Sequence, residues 1–405
     1  MTDANRMDAD QYLPLQDIVA LEFTHTVMGP SAGMFLADLG ADVIRIEPPG
    51  GDRTRRLRGS GLGYFGFYNR NKRSLAIDIK RPESRPVLLR LIGSADVLIE
   101  NMAVGTMARM GLGFDDLASD HPRLIYCALK GFLDGPHRNR AALDEVVQMM
   151  SGLAYMTGLP GRPLRMGASV IDVMGGLFGA FGILAALRER ERTGRGCEVR
   201  SALFETAVFL MGQHLVQSAL QGAPVQPMSV RTSAWSVYDV FQTADGEQIF
   251  LGLTSDAHWR RFCEAFGRAD LAGDAALASN NQRIAARDRL MPEIRTLLAG
   301  LSRAEVFRRA QQADLPFAPV ARPEDLFEDA HLLATGHLAA SRVEGAAVRV
   351  PAQPFQLDGR RYSVRRDPPP AGVDGREILT RCGFAAADIA ALERAGVVML
   401  SGEMA

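Results

Sequence analysis

The chain has 405 residues, of which 47% are hydrophobic and 23% are charged. This composition predicts a globular protein with a sizeable core, built as two domains or as one large domain with an insertion. The formal net charge of -1 excludes a general electrostatic attraction to nucleic acid or to an anionic membrane. The four cysteines form no C-x-x-C pair, which argues against a zinc site and against a disulfide framework.

The first residues, MTDANRMDADQYLP, are polar and acidic, unlike a signal peptide or an Arg-rich transit peptide. The longest apolar run, Val173–Leu187, is interrupted by glycines and is too short to cross a bilayer. We therefore expect a cytoplasmic protein whose partners are neither membranes nor nucleic acids.

Short apolar runs alternate with helical patterns in the first third of the chain. A helix is predicted at 29–41, and strands are predicted at 17–23, 42–48, 73–79, 95–101 and 123–129. This alternation predicts parallel β-α-β units that bind ligands near the carboxyl ends of the strands. Because no G-x-G-x-x-G follows the first strand, the dinucleotide fingerprint is missing.

The remainder of the chain is predicted to be mostly helical, and the fold class is predicted to be α/β. Helices are predicted at 144–157, 172–193 and 202–221, then a hairpin at 235–253, then helices near 256–267, 281–300 and 302–313. A proline-rich loop at 367–375 precedes the last helix. We expect a large domain at 1–222, a smaller α+β domain at 223–332, and a segment at 333–405 that returns to the large domain.

Two clusters of basic residues lie beside predicted strands. GDRTRRLRGS (51–60) follows a strand, and NRNKRS (69–74) precedes one. Such loops suit a polyphosphate, because Arg binds phosphate through two donors and Lys acts as a point charge. A solvated surface loop is the other interpretation. The seven histidines show no H-E-x-x-H and no acidic partner at ligand spacing, so no metal site is predicted.

Asp172 is the one charged residue in GASVIDVMGGLFGAFG (167–182). At a helix N-terminus its carboxylate could cap an unpaired N–H group, or the helix end could keep it ionised as a nucleophile. Glycines follow at 175, 176, 179 and 182, which gives one helix face a smooth stripe. Another backbone or a flat ligand could approach closely there.

Longer motifs give the sequence a resemblance to a known family. They occur in order over nearly the whole chain: GPSAGMFLADLGADVIRIEPPGGDRTR, NRNKRSLAIDIKRPE, PRLIYCALKGF, LDEVVQMMSGLAYMTG, IDVMGGLFGAFGILAALRERERTGRG and DPPPAGVDGREILTRCGF. With these motifs the chain resembles the class III CoA-transferases, also called the CaiB/BaiF family. The resemblance implies a Rossmann-like large domain in an interlocked-ring homodimer, with no metal or tightly bound cofactor. It also implies that the partners are coenzyme A, as an acyl-CoA substrate, and a small carboxylic acid.

The resemblance implies roles for individual residues. Asp172 matches the family's catalytic aspartate, which attacks the acyl-CoA thioester to form an aspartyl anhydride and then an aspartyl-CoA thioester. CoA contacts are expected at Val27, Met28, Asn69, Lys72, Asn101, Met102, Arg109, Leu143 and Asp144. Among them, Lys72 is the expected phosphate partner, and Leu143 and Asp144 are expected to face Asp172.

Departures from the family's members narrow the activity. Formyl-CoA transferase has glutamine, lysine and tyrosine where this chain has Val27, Ala141 and Leu143. Its glycine-rich loop has no visible counterpart in the matching region of this chain, SVRTSAW (229–235). Oxalate therefore fits less well as acceptor. The family's racemases have a histidine before the aspartate that matches Asp144. Leucine can neither donate nor accept a proton, which argues against racemisation.

We therefore predict transfer of CoA from a short acyl-CoA, such as succinyl-CoA, to a carboxylic acid. Arg162, Arg165 and Arg231 could hold a second carboxylate, which would favour a dicarboxylic acid. The alternatives are an acyl-CoA racemase or isomerase, a formyl-CoA:oxalate-type transferase, and a CoA-binding protein without turnover.

Overall fold

A computed structural model describes residues 12–231 and 233–400 of the chain. The predictions for the N-terminal stretch up to residue 11, and for Thr232 within 229–235, lie outside the described residues. The described part divides into two compact units. One unit takes the residues up to Ser229 and those from His331 onward, and the other is Val230–Ala330.

The secondary structure follows the chain in this order. The strands are β1 Val19–Phe23, β2 Asp42–Glu47, β3 Arg73–Ile77, β4 Val97–Glu100, β5 Ile125–Lys130, β6 Glu198–Ala202, β7 Val237–Gln242, β8 Gln248–Leu253, β9 Phe317–Pro319, β10 Leu338–Val343, β11 Ala346–Pro351, β12 Gln356–Leu357, β13 Arg360–Arg361 and β14 Val398–Met399. The first nine helices are α1 Met28–Asp38, α2 Tyr64–Tyr68, α3 Ser84–Gly93, α4 Thr106–Arg109, α5 Phe114–Leu117, α6 Asp144–Met150, α7 Leu153–Thr157, α8 Val170–Thr193 and α9 Leu203–Leu210. The others are α10 Gly212–Gln221, α11 Asp256–Ala265, α12 Ala269–Ala272, α13 Asn280–Ala285, α14 Arg287–Ala299, α15 Arg303–Gln312, α16 Ala330–Thr335, α17 Gly375–Arg381 and α18 Ala386–Arg394.

The larger unit is built on one sheet with the strand order β14-β3-β2-β1-β4-β5-β6. Strands β1 to β6 are parallel, and β14 joins the edge antiparallel to β3. The predicted parallel α/β architecture is therefore confirmed. The order 3-2-1-4-5-6 reverses direction between β1 and β4, and ligands of open parallel sheets bind outside the carboxyl ends of the strands at such a point.

Both faces of the sheet are covered, which explains why its strands read as nearly continuous apolar runs. Side chains alternate along each strand. On β4, Val97 and Ile99 join a core with α1, α8 and α9, whereas Leu98 joins the opposite core with α3 and α17.

Three of the predicted helices are interrupted, and one of them, predicted near 281–300, forms α13 and α14 with a break at Ala286. The segment predicted as 144–157 forms α6 and α7, because Gly152 between them adopts φ +86°, a left-handed conformation that ends a helix. The segment predicted as 202–221 forms α9 and α10, which are separated at Met211. The helix predicted from Asp172 begins two residues earlier, at Val170.

Helix α8 is long and apolar enough, by length and composition, to cross a membrane. The core helix of a soluble protein meets the same criteria, and Ile171, Ala180 and Ile183 of α8 are buried in the core beside the sheet. Packing within the larger unit accounts for only part of the apolar character of α8, since 44% of its apolar window is buried and Phe181 is exposed.

The smaller unit contains the predicted hairpin. Strand β7 pairs antiparallel with β8, and β8 pairs antiparallel with β9. Trp259, Phe262 and Ile294 are buried in the core that the helices of this unit share with the hairpin. This unit therefore has a core of its own.

Candidate active site

Asp172 is the third residue of α8, which follows Ser169 at the N-cap position. The capping carboxylate comes from Asp144, the first residue of α6. The N–H groups of Ile171 and Asp172 donate to Asp144 Oδ2 at 2.8 and 3.0 Å. The interpretation of Asp172 as the cap is therefore wrong, since the donors at this helix end bind another carboxylate.

Asp144 is itself fixed by a buried amide. Gln148 Nε2 donates to Asp144 Oδ1, and Gln148 Oε1 accepts the Met166 N–H at 2.9 Å. These hydrogen bonds join α6 to the loop before α8 and to the first turn of α8. Leu143, which was expected to face Asp172 together with Asp144, directly precedes α6 and is 65% exposed.

The carboxylates of this site repel one another. Burial, then the charges of Asp144 and Glu145, raise the pKa of Asp172 to about 7, and only the Arg165 charge acts to lower it. The helix N-terminus therefore does not keep the pKa of Asp172 low, and the carboxyl is only partly ionised at neutral pH. Its donors serve Asp144, whose negative charge disfavours a second one nearby.

Tyr68, at the end of α2, belongs to the same electrostatic environment. Burial, then the charges of Asp172, Tyr64 and Asp144, raise the pKa of Tyr68 to about 12, so its hydroxyl stays protonated. Tyr68 was not predicted from the sequence. The only local signal was the aromatic stretch YFGFY just before NRNK.

The glycine stripe of α8 packs against α1. A Cβ atom on Gly175 would lie 2.7 Å from Met28 Cε, and one on Gly176 would lie 2.5 Å from the Met28 carbonyl oxygen and still closer to Ser31 Oγ. The stripe therefore admits another backbone, one of the two predicted uses. It packs against the side chain of Met28, and both Met28 and Val27, which are predicted CoA contacts, are buried.

A cleft of about 960 Å³ lies at the carboxyl ends of β1 to β4. Its wall includes the predicted contacts Met102 and Arg109, and the basic side chains Arg53, Arg56 and Lys80. The position agrees with the predicted location of a ligand in this topology. Cations around an open cleft suit an anionic ligand such as a polyphosphate.

Asn101 supports the turn between β1 and α1 at the edge of this cleft. Its Oδ1 accepts the His25 N–H at 3.0 Å, and its Nδ2 donates to the His25 carbonyl oxygen at 2.9 Å. Thr26, the residue after His25, adopts φ +68°, an unfavourable conformation for a β-branched residue. Asn101 thus compensates for a strained turn, and its amide is engaged within the protein.

Asn69 and Lys72 lie beneath the cleft in a buried ionic network. Lys72 Nζ lies 2.7 Å from Glu22 Oε2 and 2.8 Å from the Pro30 carbonyl oxygen, and it also donates to Asn69 Oδ1. Arg45 binds Glu22 and Asn69 in the same network. The geometry does not support the expected contact of Lys72 with a phosphate, because its ammonium group is fully buried and already bound by protein oxygens.

Comparison with known proteins links these features to a family. Residues 15–375 match the family model described as CoA-transferase family III. The chain is 35% identical over 332 residues to the succinyl-CoA:mesaconate CoA-transferase of Haloarcula hispanica, and the alignment covers 78% of this chain and 83% of that protein. It is 34% identical over 357 residues to the acetyl-CoA:oxalate CoA-transferase of Acetobacter aceti, and that alignment covers 85% of this chain and 90% of that protein. The crystal structure of a CaiB/BaiF family protein from Brucella suis, 28% identical, superposes with a TM-score of 0.80 over 92% of this chain and 100% of that one.

Proposed function

The chain belongs to CoA-transferase family III, and on that premise we propose that it transfers CoA from an acyl-CoA to a carboxylic acid. The observation that carries the proposal is the Asp172 carboxylate in the first turn of α8, held beside Asp144 with a pKa of about 7. A carboxylate that is partly ionised at neutral pH and poorly hydrated is suited to nucleophilic attack.

The proposed reaction has four steps. The Asp172 carboxylate attacks the thioester carbonyl, the C–S bond breaks, and CoA thiolate leaves an acyl-aspartyl anhydride. The thiolate attacks the aspartyl carbonyl, which releases the donor acid and leaves an aspartyl-CoA thioester. The acceptor carboxylate displaces the thiolate to form a second anhydride. Finally, the thiolate attacks the acyl carbon of the acceptor, giving the new acyl-CoA and restoring Asp172.

The described residues support parts of this scheme. CoA would lie in the cleft at the carboxyl ends of β1 to β4, with its phosphates near Arg53, Arg56 and Arg109. The charge of Asp172 acts on Tyr68, whose hydroxyl remains protonated, and this supports a role for Tyr68 as a hydrogen-bond donor to charge that develops near Asp172. No step requires a metal or a redox cofactor.

The proposed donor is a short acyl-CoA such as succinyl-CoA, and the acceptor is a small carboxylic acid. The two relatives named above carry a dicarboxylic acid, mesaconate or oxalate, in their names, and one uses succinyl-CoA. We propose an interlocked homodimer in the cytoplasm. Large apolar side chains on α8 to α10 support association, since Phe181 is 68% exposed, Phe209 69% and Leu220 83%.

The test is a matrix of acyl-CoA donors against carboxylic acids, analysed for new thioesters by liquid chromatography and mass spectrometry. Transfer in at least one combination is expected. Hydroxylamine added during turnover should modify Asp172, and mapping of the modification to another residue would refute the assignment. Exchange of the α-hydrogen of an acyl-CoA with solvent deuterium, without any transfer, would instead identify an isomerase.

A further inference from the structure

We propose that Arg165 binds the distal carboxylate of a dicarboxylic acid substrate whose other carboxyl group exchanges with Asp172. The inference rests on the proposed function and specifies the class of acid. Arg165 lies in the loop before α8, and its Nη1 is 2.8 Å from Glu145 Oε1 on α6. The pair thus spans the two segments that position Asp172.

Hydrogen bonds fix the loop of Arg165 relative to the nucleophile. The Asp172 N–H donates to Asp144, Asp144 accepts from Gln148, and Gln148 accepts the N–H of Met166, the residue after Arg165. Asp144 and Gln148 are buried, so this path is shielded from water. The charge of Arg165 also acts on the carboxyl of Asp172 and lowers its pKa, which places the guanidinium within electrostatic reach.

The Arg165–Glu145 pair can exchange partners at low cost. The two side chains are 40% and 48% exposed, and an exposed ion pair contributes roughly 0–1 kcal/mol. A substrate carboxylate can therefore displace Glu145, which then turns to water. Lys72 and Glu22 offer the contrast, because both side chains are 0% exposed and separating them would leave a charge buried.

The surrounding charges favour a second carboxylate at Arg165. Asp172, Asp144 and Glu145 are three acidic groups around the reaction centre, so a dianionic acid is repelled unless a cation receives its distal charge. A guanidinium binds a carboxylate through two parallel hydrogen bonds, which also fixes the direction of the acid. A monocarboxylic acid makes no such contact and leaves the Arg165–Glu145 pair intact.

The experiment compares succinate with butyrate, a monocarboxylate of equal chain length, as CoA acceptors, with acetyl-CoA as the donor so that each transfer gives a new thioester. Arg165→Gln is expected to raise the KM for succinate by roughly 10- to 100-fold, the range of a charged hydrogen-bonded contact, and to change the KM for butyrate by less than about 3-fold. Arg165→Lys should recover part of the loss. Arg188→Gln is the matched control, since Arg188 forms an exposed pair with Glu191 at the opposite end of α8 and should change neither value.

Three results would overturn the inference. They are an equal loss with both acids, no change with either acid, and a selective loss in Arg162→Gln with Arg165→Gln unaffected. Urea unfolding of each variant separates a loss of substrate contact from a loss of folding. Failure of the proposed function looks different, because the wild type would then transfer CoA to neither of these acids nor to any other acid in the matrix.

Discussion

Replacing Asp172 by asparagine is expected to stabilise the folded chain at alkaline pH while abolishing CoA transfer. Burial, then Asp144 and Glu145, raise the pKa of the Asp172 carboxyl from 3.8 to about 7 in the folded chain. The unfolded chain keeps the ordinary value, so it releases the proton at lower pH than the folded chain does. The contribution of this group to stability is therefore fully present below about pH 4 and is lost as the pH rises to 7.

The difference between pKa values of 3.8 and about 7 limits the destabilisation of the folded chain by the ionised Asp172 carboxylate to roughly 4 kcal/mol. Asparagine has nearly the same shape and no charge, so the variant escapes this cost. At pH 8.5 its free energy of unfolding is expected to exceed that of the wild type by roughly 1–4 kcal/mol. At pH 5 roughly a third of that advantage should remain, because the unfolded chain is already mostly ionised there.

The assay is urea unfolding of wild type and variant at pH 5 and pH 8.5, with CoA transfer measured on the same samples. Asp17→Asn serves as control, because Asp17 is exposed and its replacement should give the same small effect at both pH values. Equal or lower stability of Asp172→Asn at pH 8.5 would refute the electrostatic argument. Normal transfer by that variant would refute its role as nucleophile.

Two further substitutions test the packing and the ionic network. Gly176→Ala is expected to lower the free energy of unfolding by roughly 1–3 kcal/mol, because the added methyl group meets α1, whereas Gly212→Ala has open space and should change it by less than about 0.5 kcal/mol. Lys72→Met should cost roughly 1–3 kcal/mol in urea unfolding, since Glu22 keeps Arg45 as a counter-charge but loses a buried cationic donor, as does the Pro30 carbonyl oxygen. Weaker CoA binding at unchanged stability would instead restore Lys72 as a phosphate contact.

The sequence was sufficient to predict the central sheet because β1 to β5 are buried on both faces, so each is a short apolar run between helical patterns. Strands β6 and β14 of this sheet were missed. The first half of β6 is not buried, so it is no apolar run, and β14 has two residues and depends on pairing with β3, far away in the chain. The breaks at Gly152 and Met211 were missed because the apolar periodicity continues across them.

The sequence indicates a candidate site at Asp172, but it does not indicate the electrostatics of that site. Asp172 was found from its own motif, whereas the carboxylate that caps α8 belongs to Asp144, 28 residues earlier. The raised pKa of Tyr68 and the ion pair between Arg165 and Glu145 likewise depend on contacts between distant segments. Lys72 in NRNK was assigned to a phosphate contact because sequence alone cannot show that its ammonium group is buried.

Asp144 is expected to have two opposite effects on catalysis, which Asp144→Asn would separate. The variant keeps an acceptor for the amides of α8 but removes the like charge, so the pKa of Asp172 falls and the acid limb of the kcat/KM profile moves to lower pH. At pH 6, where a group with a pKa of about 7 is roughly one-tenth ionised, the rate relative to the plateau should rise by up to about 10-fold.

The plateau of that profile is expected to fall. Each proposed covalent intermediate removes the negative charge of Asp172, so acylation ends its repulsion by Asp144. Because this repulsion raises the energy of the ionised enzyme before attack, it lowers the barrier to acylation. Without it, the fully ionised variant should acylate more slowly than the wild type in single-turnover measurements above pH 8. A variant with the shifted acid limb but an undiminished plateau would show that Asp144 only positions α8.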